Sequence, residues 1–534
     1  MAVSPTNTEA LTAALAAATV QTPTTFAQWL PILPVALCLA GGAVALMLRD
    51  RTRLQPMIAL PTLVLLVLID LALLLEVIKD GPLTVMMGRW LPPFGIAFTV
   101  DITGALFALI SAIVALACGV YGLTDINTSG RRYGFYPFLL VLMAGVSGAF
   151  LTGDIFNLYV WFEVLLISSF GMLILGSERE QIDGALKYAV LNLIATTLFL
   201  ITIGFLYASF GTLNMADIAR KADGLRDTAP LMTLATLFAL AFAMKAAAFP
   251  LNFWLPASYH TPRIVVSALF AALLTKVGIY SLLRVVVMLF PIEREQLSLV
   301  LGVIAAATMV LGAVGALGQS DIRRLMGFVV ISGIGIMLAG IAIGAVQGIS
   351  ATIFYAMHSI LLMAALYLVV GQAGRMTGSF ALQDMSGLYR AAPGFSFLAL
   401  ALFFAASGLP PFSGFWPKVM LLKAALDIGA WWMAGAILLS GFLTTIALAR
   451  VFLLAFWRTQ PARDESDVNS NQANPGILTA PTRSSLAPIL LLAGLIVWFG
   501  LFPETLIALS QDAAVGLVDP SAYITSVFPT EARP

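Results

Sequence analysis

Charged residues are scarce in this chain of 534 residues, because Asp, Glu, Lys and Arg together make up only 10% of it. A soluble domain carries about 25% charged residues, since its surface must face water. With 60% hydrophobic residues, the chain cannot cover itself in polar surface. Soluble enzymes and nucleic-acid-binding proteins are therefore excluded, and the net charge of +1 offers no basic surface for nucleic acid.

Cysteine and histidine are also rare, with two residues of each. Cys38 and Cys118 both lie inside apolar stretches, and they have neither metal-ligand spacing nor the pattern of a disulfide framework. The sequence has no dinucleotide fingerprint, no phosphate-binding glycine loop after a strand and no nucleophile beside a base. We therefore expect no cofactor, no bound metal and no enzymatic chemistry on this chain itself.

Long apolar stretches are what the chain has in abundance. A membrane-spanning helix needs about 20 mostly apolar residues, and about 14 such stretches follow one another. This pattern predicts an all-α polytopic membrane protein. The predicted spans lie at 26–48, 57–78, 99–123, 135–153, 155–175, 185–208, 231–256, 264–290, 298–318, 325–346, 350–372, 395–424, 430–457 and 485–509.

Two of the predicted helices look broken by proline. The seventh reads AFAMKAAAFPLNFWLP around Pro250, and the twelfth reads FFAASGLPPFSGFWPK around Pro410 and Pro411. Proline removes a backbone hydrogen bond and kinks or breaks a helix, which a bilayer tolerates only where the backbone is buried or lines a cavity. Simple kinks are common, but each break here lies beside a lysine. Their five-helix separation predicts two inverted repeats with an ion path at the breaks.

This symmetry and the polar segments divide the chain. We expect a polar N-terminal tail, or alternatively an interfacial helix, then three helices, two five-helix repeats (helices 4–8 and 9–13), a polar loop, and a last helix with a C-terminal tail. The corresponding ranges are 1–25, 26–130, 131–290, 291–460, 461–484 and 485–534.

Arginine and lysine set the expected orientation, because cytoplasmic loops are enriched in these residues. Loops after odd-numbered helices hold about 14 of them and the other loops about 7. The loops after odd-numbered helices should therefore face the cytoplasm. With an even number of helices, both termini should lie outside the cytoplasm.

Six titratable side chains stand out within the predicted spans, because an ionised group at the bilayer centre costs about 2.5–3.5 kcal/mol. Lys187 lies near a helix end and could instead extend to the membrane surface. Glu163 could be a structural partner, and His358 a hydrogen-bonded packing residue. Arg284 and Arg450, near helix ends, are predicted to be interface anchors. The six residues are Glu163, Lys187, Lys245, Lys276, His358 and Lys418.

These residue types suit proton transfer. Burial favours the neutral form of a lysine, and a nearby carboxylate favours the charged form. A Glu–Lys pair that opens and closes would therefore switch the lysine between holding and releasing a proton. A row of such lysines, joined by His358 and internal water, would form a lateral path within the membrane.

Several motifs resemble the D subunits of the multisubunit Mrp-type monovalent cation/proton antiporters. The specific ones are GDIFNLYVWFE (153–163) and TKVGIY (275–280), and the resemblance spans nearly the whole chain. The wider family includes proton-pumping subunits of respiratory complex I and of membrane-bound hydrogenases. The resemblance implies 14 helices, a hydrated axis of buried charges and membership of a large membrane complex. Further motifs are GRWLPPFGIAFTVD (88–101), FPLNFWLPASYHTP (249–262), LGQSDIRRLMGF (317–328) and GLPPFSGFWPK (408–418).

The resemblance also implies roles for single residues. Glu163 matches the acidic residue of helix 5 and Lys245 the lysine beside the break in helix 7, which that acid modulates. Lys276, His358 and Lys418 match the connecting lysine of helix 8, the histidine of helix 11 and the terminal lysine of helix 12. The chain departs from the family pattern at Val329, where a histidine is usual, and at Met363, where a lysine is usual. Both departures put a standard relay in the second repeat in doubt.

The leading hypothesis is a proton-translocating subunit of a bacterial inner-membrane Na⁺/H⁺ antiporter, driven by the proton-motive force. It would act with other subunits in the lipid bilayer. Replacing Glu163 or Lys245 by Ala should abolish exchange without preventing assembly. The alternatives are the proton-pumping arm of a quinone or ferredoxin oxidoreductase, or a scaffold subunit that has lost conduction.

Overall fold

The computed structural model describes residues 18–19, 26–459 and 482–529. Ten helices in that part of the chain are long and apolar enough to span a membrane, and four more apolar helices are shorter. Each coincides with one of the predicted segments, which confirms the all-α polytopic class; the count of fourteen crossings stays a prediction. In chain order they are α1 Leu33–Met47, α2 Leu54–Asp80, α3 Ile102–Asp125, α4 Phe135–Leu151, α5 Ile155–Leu173, α6 Arg179–Phe210, α7 Leu231–Ala246, α8 Ile264–Leu289, α9 Ser298–Leu317, α10 Ile322–Ile343, α11 Val346–Thr377, α12 in two halves (Pro393–Ser407 and Phe415–Asp427), α13 Trp431–Trp457 and α14 Arg483–Leu501.

Short helices occupy several connections, namely Phe26–Trp29, Thr128–Arg132, Met215–Ala222, Trp254–Ser258, Pro291–Gln296 and Leu388–Ala391. The predicted tail over 1–25 and the predicted loop over 461–484 lie almost entirely outside the described residues. The division into two repeats stays a prediction.

Aspartates cap the starts of spanning helices, as the unpaired amides there require. Asp101 accepts a hydrogen bond from Gly104 N at 2.9 Å at the start of α3. Asp154 accepts one from Asn157 N at 2.7 Å at the start of α5. Each carboxylate satisfies a backbone amide that has no partner within its helix.

The seventh and twelfth helices are both broken, as predicted. α7 ends at Ala246, residues 247–253 are not helical, and Trp254–Ser258 resumes the helix. α12 is interrupted over residues 408–414. The Phe249 amide inside the first break donates to Thr308 Oγ1 of α9 at 3.0 Å, so the freed backbone is satisfied by a neighbouring helix.

The arginine-rich loops gather at one end of the bundle, which we call the basic end. Ion pairs join them, since Arg132 lies 3.3 Å from Asp50 and Arg375 lies 2.7 Å from Asp125. The gathering agrees with the loop assignment made from the sequence. The choice of the cytoplasm for this end remains a prediction.

The opposite end carries elements that the sequence analysis did not predict. A hairpin pairs β1 (Leu83–Met86) with β2 (Ala97–Val100) in antiparallel register, Leu83 opposite Val100. The predicted C-terminal tail instead contains two helices, α15 (Glu504–Val518) and α16 (Ser521–Val527). α15 packs against α11 and α3, so this helix is part of the bundle.

Arg284 corrects a prediction. It is fully buried and pairs with Asp101, with its Nη1 2.7 Å from Asp101 Oδ2. Its guanidinium also lies 5.4 Å from the centre of the Tyr523 ring. The expectation of an interface anchor is therefore wrong, because Asp101 at the start of α3 and Tyr523 of α16 enclose the guanidinium, and α15 packs against this helix end. Replacing one partner of such a pair leaves a buried unpaired charge.

Burial separates the centre of the bundle from its rim. Every residue in the most apolar 18-residue stretch of α8 and of α11 is buried, whereas only 33% of the residues in the corresponding stretch of α2 and of α13 are buried. Large apolar side chains such as Leu65, Leu68 and Leu75 are exposed along α2. Apolar side chains that face outward in this way suit lipid or neighbouring apolar helices.

Candidate functional site

The candidate site is a row of buried charged groups that begins at the break in α7. Lys245 is the second-last residue of α7, is only 5% exposed, and its Nζ has no hydrogen-bond partner among the described residues. The ammonium lies 5.4 Å from the centre of the Phe162 ring, within the range of a cation–π contact. The lysine is therefore held by an aromatic face and by no fixed oxygen.

Glu163 follows Phe162 in α5 and is half-buried. Its charge interacts with that of Lys245, although no hydrogen bond joins the two side chains. A small side-chain movement would change the distance between them. The carboxylate can therefore modulate the ammonium without being locked to it.

A close contact brings α8 to the break. A Cβ added to Gly278 would lie 2.8 Å from Ala246 N, so only glycine lets α8 approach the end of α7 here. Lys276 on α8 is fully buried, and its Nζ donates to Ala271 O at 2.6 Å. Ala271 lies in the π-helical stretch Phe270–Leu274, where widened hydrogen bonding leaves carbonyls available.

His358 on α11 continues the row toward α12. Its Nδ1 lies 2.8 Å from Ser413 Oγ, inside the break of α12. A Cβ added to Gly414 would lie 2.8 Å from His358 Nε2 and 2.1 Å from Ala405 O. Glycine is therefore required for the imidazole to approach the broken backbone.

Lys418 ends the row on the second half of α12. Its Nζ donates to Ser407 O at 2.7 Å and to Ala406 O at 3.3 Å. The break frees these carbonyls from helical bonding, and the lysine satisfies them. α14 supports the break, because Trp416 Nε1 donates to Gly500 O at 2.8 Å.

The structure brings five of the six predicted residues into two groups. Glu163 interacts with Lys245, and His358 interacts electrostatically with both Lys418 and Lys276. Three buried hydroxyls of α8 and α11 have no partner within the described part of the chain; they belong to Thr275, Ser350 and Ser359. Such groups commonly bind internal water, and water can carry protons between side chains that do not touch.

Lys187 lies apart from this row. Its side chain is 53% exposed and pairs with Asp183 at 2.5 Å. Both line a polar cavity of about 390 Å³ at the basic end, together with His260 and Arg324. Burial and then the charge of Arg324 lower the pKa of His260, so its ring is neutral at pH 7.

Val329 and Met363 are both buried among apolar neighbours. Neither position supplies a titratable group to the second half of the bundle. No group of three or more His, Cys, Asp or Glu side chains that could hold a metal occurs among the residues described.

Ser413, the partner of His358, was not among the residues predicted from the sequence. Its position could have pointed to it, because a hydroxyl inside a Gly- and Pro-rich helix break is available for hydrogen bonding. The spacing of 55 residues between the two could not show that they meet.

Comparisons with known proteins agree with this architecture. The family described as "NADH:quinone oxidoreductase/Mrp antiporter, TM" matches residues 152–444. The D subunit of the Na(+)/H(+) antiporter of Alkalihalophilus pseudofirmus is 35% identical over 499 residues, which cover 93% of this chain and 99% of that protein.

Two solved structures share the fold over most of their length. A chain of the Mrp complex from Dietzia sp. DQ12-45-1b superposes with a TM-score of 0.85 at 28% identity, covering 94% of this chain and 100% of that one. A chain of the membrane-bound sulfane sulfur reductase, an archaeal respiratory membrane complex, has a TM-score of 0.85 at 25% identity and covers 93% and 99%. The chain therefore belongs to the family of membrane subunits that NADH:quinone oxidoreductases and Mrp antiporters share.

Proposed function

We propose that this chain is the proton-conducting subunit of a multisubunit monovalent cation/proton antiporter, and that it exchanges protons for Na⁺. The observation that carries the proposal is Lys245, a buried ammonium at a broken helix, within electrostatic range of Glu163. The described part of the chain provides this ammonium with no hydrogen-bond partner. The Na(+)/H(+) antiporter relative from Alkalihalophilus pseudofirmus supports it, since 93% of this chain aligns with that protein.

The proton is transferred in steps along this chain's own residues. When Glu163 approaches Lys245, the carboxylate favours the protonated amine; when it withdraws, the apolar surroundings favour the neutral amine and release the proton. The released proton moves to Lys276, whose neutral amine accepts it on its lone pair while an N–H still donates to Ala271 O. His358 and Lys418 then carry it to the end of the row. Each transfer needs water or a rotating side chain between groups.

The same proposal includes location and partners. We place the chain in a bacterial inner membrane with the basic end in the cytoplasm, because Lys and Arg concentrate in the loops there. Both termini then lie outside the cytoplasm. Other subunits of a hetero-oligomeric complex would pack on the exposed apolar rim, and one of them would provide the route for Na⁺. This makes the chain a transporter subunit and not an enzyme.

A redox-driven pump is the second candidate. The similarity to the sulfane sulfur reductase complex favours it, because the fold is matched equally well there. The buried row would conduct protons in the same way, with electron transfer on partner chains. This chain's residues alone do not distinguish the two energy sources.

The test expresses the chain with its neighbouring genes in a bacterial host without antiporters. Inverted vesicles receive a pH gradient, and Na⁺, K⁺ or Li⁺ is added. We expect Na⁺ to collapse the gradient. No response to any of the three cations in an assembled complex would overturn the proposal, and NADH- or ferredoxin-driven proton pumping would then support the second candidate.

A further inference from the structure

A carboxyl group outside the proposed path is buried in the N-terminal part of the bundle. Asp70 lies in the apolar stretch LVLLVLIDLALLLEV of α2 and is fully buried. Neither of its carboxylate oxygens has a hydrogen-bond partner within residues 26–459 and 482–529. It lies about 24 Å from the start of α2 and about 15 Å from its end. Asp70 is therefore deep in the membrane, and the path from Glu163 to Lys418 does not use it.

Two serines on neighbouring helices share this condition. Ser111 on α3 and Ser147 on α4 are fully buried, and neither hydroxyl has a hydrogen-bond partner among the residues that the structure describes. Serine and threonine in membrane helices usually donate to a carbonyl one turn earlier. Thr62 and Ser281 do so here, both at 2.8 Å. The Ser111 and Ser147 hydroxyls are thus not occupied by their own helices.

The packing of α2, α3 and α4 places these three residues at one depth. A Cβ on Gly119 of α3 would lie 3.0 Å from Leu63 of α2 and 3.6 Å from Leu139 of α4. A helix rises about 1.5 Å per residue, so distances along each helix axis can be counted from these contacts. Asp70 follows Leu63 by about 10 Å along α2, and Ser147 follows Leu139 by about 12 Å along α4. Ser111 precedes Gly119 by about 12 Å along α3. Because α3 runs opposite to α2 and α4, all three displacements point away from the basic end.

The depth of Ser147 along the bundle can also be compared with that of Lys276 on the proposed path. Tyr280 of α8 donates to Phe150 O of α4 at 2.5 Å, and the two helices run in the same direction. Ser147 precedes Phe150 by about 4.5 Å, and Lys276 precedes Tyr280 by about 6 Å. Ser147 and Lys276 therefore lie within about 2 Å of the same depth, in helices that touch.

A buried carboxylate without a cationic partner is unfavourable, and in practice such a group takes up a proton instead. No lysine or arginine pairs with Asp70 among the residues described. We propose that Asp70 is a further proton-binding group of this chain, and that Ser111 and Ser147 line a branch joining it to Lys276. The second part of this inference rests on the proposed function, because it assigns Lys276 to the path.

Few other titratable groups face Asp70. Cys38 of α1 interacts with its charge. The remaining titratable residues of the helices packed against α2 lie about 10 Å or more nearer the basic end; they are Cys118, Tyr121 and Asp125 of α3 and Tyr136 of α4. Substituting Asp70 alone would therefore show which part of an observed titration belongs to it and which part belongs to these residues.

The first test detects the proton directly. Infrared difference spectra between low and high pH would be recorded for the purified complex, for Asp70→Asn, and for Glu76→Gln as a control on the same helix. We expect a C=O band of a protonated carboxylic acid that disappears in Asp70→Asn, remains in Glu76→Gln and shifts in Ser111→Ala and Ser147→Ala. Identical carboxyl bands in the unsubstituted complex and Asp70→Asn would overturn the inference.

The second test measures the branch. In the vesicle assay we expect Asp70→Asn to lower exchange about tenfold, a loss typical of removing a proton-transfer group, while Asp70→Glu retains most of it. Exchange by Asp70→Asn at the unsubstituted rate and with the same pH profile would overturn the link to Lys276. If the unsubstituted complex shows no exchange, the proposed function fails, whereas the infrared result still decides whether Asp70 binds a proton.

Discussion

The two halves of the bundle hold their buried cations differently. In α4–α8, the Lys245 ammonium lies beside the Phe162 ring and has no hydrogen-bond partner in the part of the chain that the structure describes. In α9–α13, the Lys418 ammonium donates to the carbonyls of Ala406 and Ser407. The protonation of a lysine without a fixed acceptor responds to a nearby carboxylate, whereas two carbonyl acceptors stabilise the protonated form of the other lysine. The first half is therefore suited to switching and the second to holding a proton.

The two halves also differ in the titratable groups that accompany their lysines. Glu163 lies within electrostatic range of Lys245, but the buried positions Val329 and Met363 in the second half are apolar. In the proposed path, His358 would therefore connect Lys276 to Lys418 without a further titratable side chain from those two positions. This comparison gives the order of effects expected from substitutions.

The largest effect among these is expected for Glu163→Ala, which removes the switching charge of the first half. We expect exchange to fall about a hundredfold or more, the scale of a lost proton-transfer group. Exchange would be measured in inverted vesicles, with the amount of assembled complex as a control. Near-normal exchange in an assembled complex would show that Lys245 does not need this carboxylate.

Lys276→Met should have the next largest effect, because it cuts the connection between the halves. Methionine keeps much of the side-chain volume but cannot carry a proton, so we expect a loss of at least about tenfold. The matched control is Lys423→Met, since Lys423 is exposed and pairs with Asp427. Equal rates for the two variants would contradict a path through α8.

A smaller effect is expected for Ser413→Ala, which removes one hydrogen bond of His358. A buried hydrogen bond contributes about 1 kcal/mol, so a loss of about fivefold in exchange is expected. His358→Ala should lose more, because it removes the proton carrier itself. If Ser413→Ala were as damaging as His358→Ala, Ser413 would have to do more than position the ring.

The smallest effect is expected for Lys187→Ala. Its exposed ion pair with Asp183 is worth about 0–1 kcal/mol, and the side chain lies outside the buried row. We expect exchange within about twofold of the unsubstituted rate. A tenfold loss would instead extend the path into the cavity at the basic end.

Particular residues show how far the sequence predicts this molecule. Apolar length predicts the helices, and Pro250 and Pro410 predict the breaks, because these signals are local. Charges inside apolar stretches identify Lys245 and Lys276 for the same reason. Asp70 is likewise a charged residue inside an apolar stretch, but it was not among the residues predicted from the sequence.

Contacts between distant segments could not be predicted. The sequence position of Arg284 suggested a helix end at the membrane surface, yet Asp101 and Tyr523 enclose it. Ser413 meets His358 only because Gly414 allows close packing. The sequence left open whether Lys187 belongs to the row or extends to the membrane surface, and its side chain lies beside Asp183 and the polar cavity at the basic end.

Lys245→Ala tests the central claim most directly. The assembled complex carrying this variant would be compared with Lys423→Ala in inverted vesicles, and the Na⁺-triggered collapse of the pH gradient would be recorded. The account predicts that the collapse disappears in Lys245→Ala and persists in Lys423→Ala. An undiminished collapse in an assembled Lys245→Ala complex would contradict proton transfer through the broken helix.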